Sequence, residues 1–291
     1  MSTTPPGFEI PPGPFVSAEW LAGNLDRDIR VLDVRGRHPS SPLPHAKRAE
    51  FEASHIPGSI HVDWEHDFVD PASPIPYQVA PADAFAARAG ELGIGDGMPV
   101  VALDDYYGIF AARVAWAFRL HGAEARVLDG GWQTWVEEGR PTTGEPARHP
   151  RARFTPHLRP GLRLTLEDLE AARAGGATVV DARPRHLFIG EPGVAGTGHI
   201  PGARSLPYQE LVDGATGLVA ADAAVRRLLR AAGIDPERPP AEVVTTCGSG
   251  VSACLALLAM EAAGVHARGV YDGSFNEWSA DPARPIAYGT A

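Results

Sequence analysis

Four landmarks in the first half of this 291-residue chain return in the second half in the same order. Val31-Leu32-Asp33-Val34-Arg35 reappears as Val179-Val180-Asp181-Ala182-Arg183, 148 positions later, and His55-Ile56-Pro57-Gly58 as His199-Ile200-Pro201-Gly202, 144 positions later. Val100-Val101-Ala102-Leu103-Asp104 matches Val243-Val244-Thr245-Thr246-Cys247, and Asp129-Gly130-Gly131 with Trp135 matches Asp272-Gly273-Ser274 with Trp278, both at an offset of 143. Loops of unequal length account for the drift, while the order is kept. Solenoid units repeat every ~20–50 residues, so a period this long marks a duplicated domain. Each copy must therefore complete its own core.

Each half alternates short β-branched runs with helical stretches. In the first, Arg30 to Val34, Val100 to Leu103 and Arg126 to Leu128 read as strands, and Ala82 to Leu92 and Ala111 to Leu120 as helices. In the second, the strands are Thr178 to Asp181, Glu242 to Thr246 and Gly269 to Tyr271, with helices near Thr165 to Arg173, Ala221 to Ala232 and Ser252 to Ala263. Continuous apolar strands with helices between them imply a small parallel sheet covered on both faces, an α/β domain. Gly139 to Pro160 carries five prolines and no apolar periodicity, which reads as a linker over the surface. The expected division is a first domain over 1–140, a linker over 141–160 and a second domain over 161–291.

Glycine and proline, 32 and 28 residues, make up about a fifth of the chain against about 12% in an average protein, so turns are abundant. With 44% hydrophobic and 21% charged residues the chain still has core material that a disordered Pro/Gly-rich polymer lacks. A net charge of −10 argues against nucleic-acid and anionic-membrane partners, which need clustered Lys and Arg. Two cysteines, Cys247 and Cys254, cannot build a disulfide framework or a cysteine-rich zinc site. His61-Val62-Asp63-Trp64-Glu65-His66 lacks the helical spacing of a metal motif and reads as solvated side chains in a loop. No metal or organic cofactor is expected. The start of the chain has neither the basic nor the apolar region of a secretory signal, and no apolar run reaches 18 residues, so a cytoplasmic location is expected.

Reactive groups in open α/β sheets gather in loops at the carboxyl ends of strands. Cys247 lies there, opening Cys247-Gly248-Ser249-Gly250-Val251-Ser252 before an apolar helix. Two glycines let the backbone curl so that successive N–H groups point inward, and the helix N-terminus behind them adds roughly half a positive charge. Such a turn stabilises an anion at its centre, which makes Cys247 the candidate nucleophile. Cys254, mid-helix among Ala and Leu, reads as a packing residue. A Cys-x5-Arg phosphatase loop would need an arginine where Ala253 stands.

In this order, Asp-x-Arg after a first strand, His-Ile-Pro-Gly, a six-residue cysteine loop and Asp-Gly-[Gly/Ser]-x-x-x-Trp, the chain resembles the rhodanese superfamily of sulfurtransferases, once per half. The resemblance implies two tandem rhodanese-like domains of which only the second is catalytic, because Asp104 stands at the first copy's cysteine position. It implies that Cys247 takes a sulfur atom from a small donor, holds it as a persulfide and passes it to a thiol or cyanide. The loop Gly248, Ser249, Gly250, Val251 and Ser252, with Ala253, is then the substrate cradle. It is the neutral loop of mercaptopyruvate-type members rather than the dicationic Cys-Arg-Lys-Gly-Val-Thr of thiosulfate-type members, which favours 3-mercaptopyruvate over thiosulfate.

The donor pocket departs from that pattern. Leu187 and Gly193 occupy positions where mercaptopyruvate-type members carry carboxylate-binding arginines, leaving Arg185 and His186 as the nearest cations. Of the Ser/His/Asp arrangement, Ser249 and Asp63 fit, but Pro74-Ile75-Pro76-Tyr77-Gln78 contains no histidine. These departures motivate a second reading, a persulfide carrier or sulfur-sensing module with little turnover. Asp181, Arg183 and His199 recur in the copy without a cysteine, so they are assigned to the framework. Iodoacetamide at neutral pH should alkylate Cys247 before Cys254, followed by peptide mass spectrometry; the reverse order would contradict the assignment.

Overall fold

A computed structural model describes residues 9–290; the first eight residues, on which the reading of the chain start rests, lie outside them. The described residues form two compact units, one comprising 9–69 and 80–159, the other 70–79 and 160–290. Each contains one five-stranded sheet in which every pairing is parallel. The α/β class with two parallel sheets is as the sequence implies.

In the first unit the strands are β1 (Phe15–Val16), β2 (Arg30–Asp33), β3 (Ile60–His61), β4 (Val100–Leu103) and β5 (Ala125–Leu128), in the order β1-β5-β4-β2-β3. The second has β6 (Arg163–Leu164), β7 (Thr178–Asp181), β8 (Arg204–Ser205), β9 (Val243–Thr246) and β10 (Gly269–Tyr271), in the order β6-β10-β9-β7-β8. The two orders are identical under the repeat. Helices α1 (Ala18–Ala22), α2 (Arg48–Ala53), α3 (Ala82–Glu91), α4 (Ile109–Leu120) and α5 (Gly131–Glu137) serve the first sheet, and α6 (Leu166–Ala174), α7 (Arg185–Ile189), α8 (Asp222–Ala231), α9 (Ser252–Ala262) and α10 (Ser274–Ala280) the second. The central strands β4 and β9 are buried at every residue, as sheets covered on both faces require. The helices that follow them, α4 and α9, are apolar almost all round and buried along most of their length.

The repeated polar residues hold the framework. Arg35 Nε donates to both carboxylate oxygens of Asp33 (2.9 and 3.0 Å), its Nη2 to Ser54 O (2.7 Å), and its guanidinium stacks 4.0 Å from the Trp132 ring. Arg183 repeats this with Asp181 (3.1 and 3.0 Å), Gly198 O (2.6 Å) and the Phe275 ring at 3.9 Å. His55 and His199 each use Nδ1 on a carbonyl, of Phe51 (2.7 Å) and Phe188 (2.8 Å), and stack on the same phenylalanine. Trp135 and Trp278 donate from Nε1 to the carbonyls of Pro141 and Pro285, both at 2.9 Å.

Two local expectations change. His61 is on β3 rather than in a loop, and it is buried, because the strand's alternation turns it inward beside Phe51; burial lowers its basicity. The proline-rich segment after α5 is held against the first unit as far as Arg159. Thr143 exchanges two backbone hydrogen bonds with His55, Ala152 N–H donates to Gly90 O, and His157 and Arg159 to His121 and Leu120 carbonyls. A side chain at Gly90 would meet Ala152 O at 2.5 Å, and one at Gly122 would meet His157 O at 2.6 Å, so these glycines admit the strap.

Candidate active site

β9 is the middle strand of the second sheet, between β7 and β10. From β7 the chain moves out to β8 on one side, and from β9 to β10 on the other. The crevice past the carboxyl ends of β7 and β9 is therefore the switch point where open α/β sheets bind ligands. Cys247 is the first residue after β9. It is buried, while Gly248 and Ser249 are half-buried. Its N–H donates to Ser274 Oγ (3.1 Å), its carbonyl accepts from Phe275 N–H (2.9 Å), and Gly248 O accepts from Asn276 N–H (2.9 Å). The start of α10 thus fixes the start of the cysteine loop. Gly250 sits at φ +78°, a left-handed conformation that glycine adopts without a Cβ clash. Its carbonyl accepts from Cys254 Sγ at 3.2 Å, and α9 begins two residues later.

The first unit carries a related turn with a carboxylate at the cysteine position; Tyr107 and Gly108 are both left-handed there (φ +58° and +74°), whereas Gly250 is followed by a right-handed Val251. Asp104 Oδ1 accepts from the backbone N–H groups of Tyr106 (2.8 Å) and Gly108 (2.9 Å), and Oδ2 from Phe110 and Ala111 (both 2.9 Å). By the 143-residue offset these donors correspond to Ser249, Val251, Ala253 and Cys254. The backbone contact to the following turn also repeats, as Trp132 N–H donates to Asp104 O at 2.9 Å. In the first unit the strand-loop-helix thus offers the side chain at its first position a ring of N–H donors.

Ser274 is a residue the sequence reading passed over. It is a non-glycine at φ +53° and corresponds to Gly131 at φ +54°. A side chain at Gly131 would lie 2.2 Å from Asp104 O, whereas Ser274 uses its hydroxyl, accepting from Cys247 N–H and donating to Tyr271 O (2.8 Å). The signal was present as the one change between Asp-Gly-Gly and Asp-Gly-Ser.

The other sequence-derived residues are dispersed. Arg185 and His186 begin α7 and are exposed; Arg185 Nη2 pairs with Glu210 at 2.9 Å. Arg185 also lines a cavity with Arg204, Ser205 and Gly233 that contains none of the cysteine loop. Leu187 is half-buried on α7, and Gly193 lies in the following loop at φ +87°. Arg183 is beside the loop, its Cδ 3.9 Å from where a Gly248 side chain would begin, but its guanidinium is bound to Asp181, Gly196 O and Gly198 O. Asp63 is in the first unit, accepting from Glu65 N–H and pairing with His66. The segment 70–79 belongs to the second unit. Val79 N–H donates to Asp272 Oδ2 (3.2 Å), and Arg163 bridges Asp272 (2.9 Å) and Gln78 Oε1 (3.2 Å); Tyr77 beside them has φ +62°. Among the described residues no cluster of three His, Cys, Asp or Glu side chains has the arrangement of a metal site.

The family model of the rhodanese-like domain matches residues 17–138 and again 165–281. The chain is 35% identical over 274 residues to thiosulfate sulfurtransferase of Gallus gallus, covering 90% of this chain and 92% of that one. It is 35% identical over 290 residues to 3-mercaptopyruvate sulfurtransferase of Mus musculus, covering 94% and 95%. SseA of Escherichia coli, a 3-mercaptopyruvate sulfotransferase of known structure, is similar with a TM-score of 0.80 and 28% identity, covering 90% of this chain and 99% of that one.

Burial pushes the Asp104 carboxyl up to about 7, against the pull of its N–H donors and with Asp105 adding to the rise. The folded state therefore holds this proton more tightly than the unfolded chain, where a carboxyl titrates near 4. Its contribution to stability is fully present below about pH 4 and is lost as pH rises through about 7. In urea unfolding between pH 5 and 8, Asp104→Asn should flatten the decline in stability seen for the unaltered protein; an unchanged slope would refute this origin.

Proposed function

The chain belongs to the rhodanese-like family and is a sulfurtransferase, and from that premise we propose that Cys247 is the sulfur-carrying nucleophile, with backbone N–H groups of its loop as the anion cradle. The supporting observation is the first-unit copy, where four N–H groups converge on Asp104 at the position equivalent to Cys247. A carboxylate there is penalised by desolvation. The charge of a thiolate or persulfide is spread over larger sulfur atoms, so its Born penalty is smaller and the same donors hold it more readily. Ser249, Val251 and Ala253 supply the N–H groups, the Cys254 N–H being held by Val251 O (3.1 Å), and Gly248, Gly250 and Ser252 shape the turn.

The sulfur rides on the enzyme, so the proposed cycle uses no metal or organic cofactor. The Cys247 thiolate attacks the sulfur of 3-mercaptopyruvate, a sulfur–sulfur bond forms as the carbon–sulfur bond breaks, and the resulting pyruvate enolate takes up a proton. With thiosulfate the leaving group is sulfite. Cyanide or a thiolate then attacks the outer sulfur, and the thiolate of Cys247 leaves, held by the loop N–H groups as an oxyanion hole holds oxygen. The neutral loop favours 3-mercaptopyruvate over the dianion thiosulfate. Arg185, with His186, is the proposed carboxylate ligand from α7. Its pair with Glu210 is a surface pair of the kind worth only ~0–1 kcal/mol, so turning toward a donor is inexpensive. Asp63 is retained as a proposed supporting group. Small thiols, cyanide and sulfur donors are the proposed partners, with no nucleic acid or membrane; among the described residues no helix is long and apolar enough to cross a membrane. The free thiols Cys247 and Cys254 suit a reducing, cytoplasmic compartment.

Thiocyanate production from cyanide, with each donor in turn, tests this. Turnover should be faster with 3-mercaptopyruvate than with thiosulfate and absent in Cys247→Ser. Faster turnover with thiosulfate would overturn the donor assignment. No turnover with either, while glutathione persulfide still loads Cys247, would favour the carrier reading.

A further inference from the structure

Arg30, at the start of β2, is only 7% exposed. Its Nη2 donates to Gly93 O at 2.9 Å, and its Nη1 to Nδ1 of His149. A guanidinium has five N–H donors; these two bonds leave three, and Nε is fully buried with no hydrogen-bond partner. Neither partner is an anion. Arginine only donates, so His149 Nδ1 must accept, and the imidazole is neutral with its Nε2–H donating to Gly58 O at 3.0 Å. The other buried arginines that flank these strands, Arg35 and Arg183, each lie against an aspartate. No carboxylate pairs with Arg30 among the described residues. Asp28 gives Arg30 only a through-space attraction that does not offset its burial, and removing a cation from water without a directly paired counter-charge is among the most expensive features a fold can retain.

The fold does not require this arginine. The equivalent residue of the second copy is Thr178, and it makes the same backbone bond: Arg30 N–H donates to Pro99 O and Thr178 N–H to Glu242 O, both at 2.9 Å. Beside Arg30 lies an open cavity of about 370 Å³ whose wall includes Arg27, Asp28, Gly58, His149 and Arg151. Arg27 and Arg151 are exposed on its rim, paired only with the surface carboxylates Asp26 (3.8 Å) and Glu91 (2.6 Å). Asp28, also exposed, is the one acidic side chain in the wall. Three guanidinium groups and an imidazole thus face one carboxylate.

We propose that this cavity binds a small oxyanion, with Arg30 as its buried anchor and Arg27 and Arg151 closing on it from the rim. The ligand class is set by the guanidinium fork, which pairs two donors with the oxygens of a carboxylate, sulfite, sulfate or phosphate. An anion there offsets the guanidinium charge that faces the imidazole, so His149 takes a proton more readily, with Nδ1 giving up its bond from Arg30 Nη1. The site is at the amino-terminal edge of the first sheet, whereas Cys247 is at the carboxyl-terminal edge of the second, and its occupation is independent of the sulfur-transfer reading.

The test follows the His149 imidazole by NMR in the full-length protein while acetate, sulfite or phosphate is added at constant ionic strength set with chloride. At least one anion should give a saturable shift with a Kd on the order of 1 mM, the strength of a few charge-assisted bonds to a solvated ion, and should raise the His149 pKa. Saturation by acetate alone identifies a carboxylate ligand, and by sulfite or phosphate a tetrahedral or pyramidal one. Arg27→Ala/Arg151→Ala, altered only at exposed positions, should weaken binding by roughly tenfold, and Arg30→Gln should abolish it. Absence of saturation with all three anions, or equal binding by the double variant, would overturn the proposal, and neither result bears on thiocyanate production.

Discussion

Backbone N–H groups that converge on one side-chain position organise the Asp104 turn of the first unit, and the proposed chemistry of the second unit rests on the same arrangement around Cys247. A buried N–H without an acceptor costs about 1–3 kcal/mol, so a turn that gathers several of them must place an acceptor at their focus. The first unit does so permanently, with the Asp104 carboxylate accepting from Tyr106, Gly108, Phe110 and Ala111. The second has Cys247 there, whose thiolate and persulfide states are the proposed acceptors. The flanking structure serves this convergence: a central strand buried at every residue, a helix whose N-terminus closes the turn, and the next turn bound to the loop carbonyls. Duplication followed by replacement of one side chain yields a self-liganded unit and a chemically available one.

A buried ion pair and a cation–aromatic stack stabilise each framework in the same way. Asp33–Arg35 on Trp132 and Asp181–Arg183 on Phe275 tie the turn after the second strand of each sheet to the following loop. Because Arg183 is consumed by these contacts, it leaves the neighbouring cysteine loop without a free cation. In the proposed mechanism the loop's attraction for anions therefore comes from peptide dipoles, which would suit a monoanionic donor better than a dianionic one. The framework explains why the repeat is legible at these residues although only one copy needs a nucleophile.

The sequence exposed much of this because a duplicated chain carries its own control. Positions shared by both copies, such as Asp33 and Asp181, hold the framework, and the position that differs, Asp104 against Cys247, is where the proposed chemistry sits. The four-residue central strands and the long helices were readable from apolar runs. Edge strands β1, β3, β6 and β8, two residues each, are too short to carry a period, and so His61 was read as solvated. Ser274 escaped notice because its φ cannot be inferred from Asp-Gly-Ser alone. Arg30 likewise reads as an ordinary strand-start residue until its burial without an acidic partner is seen.

The central claim, that Cys247 and no other group carries the sulfur in transit, is most directly tested by mass spectrometry of the intact protein mixed with 3-mercaptopyruvate in the absence of an acceptor. The account predicts a gain of a single sulfur atom per chain, located by peptide mapping on Cys247 and removed by cyanide. A protein that gains no sulfur, or gains it on Cys254, would contradict it.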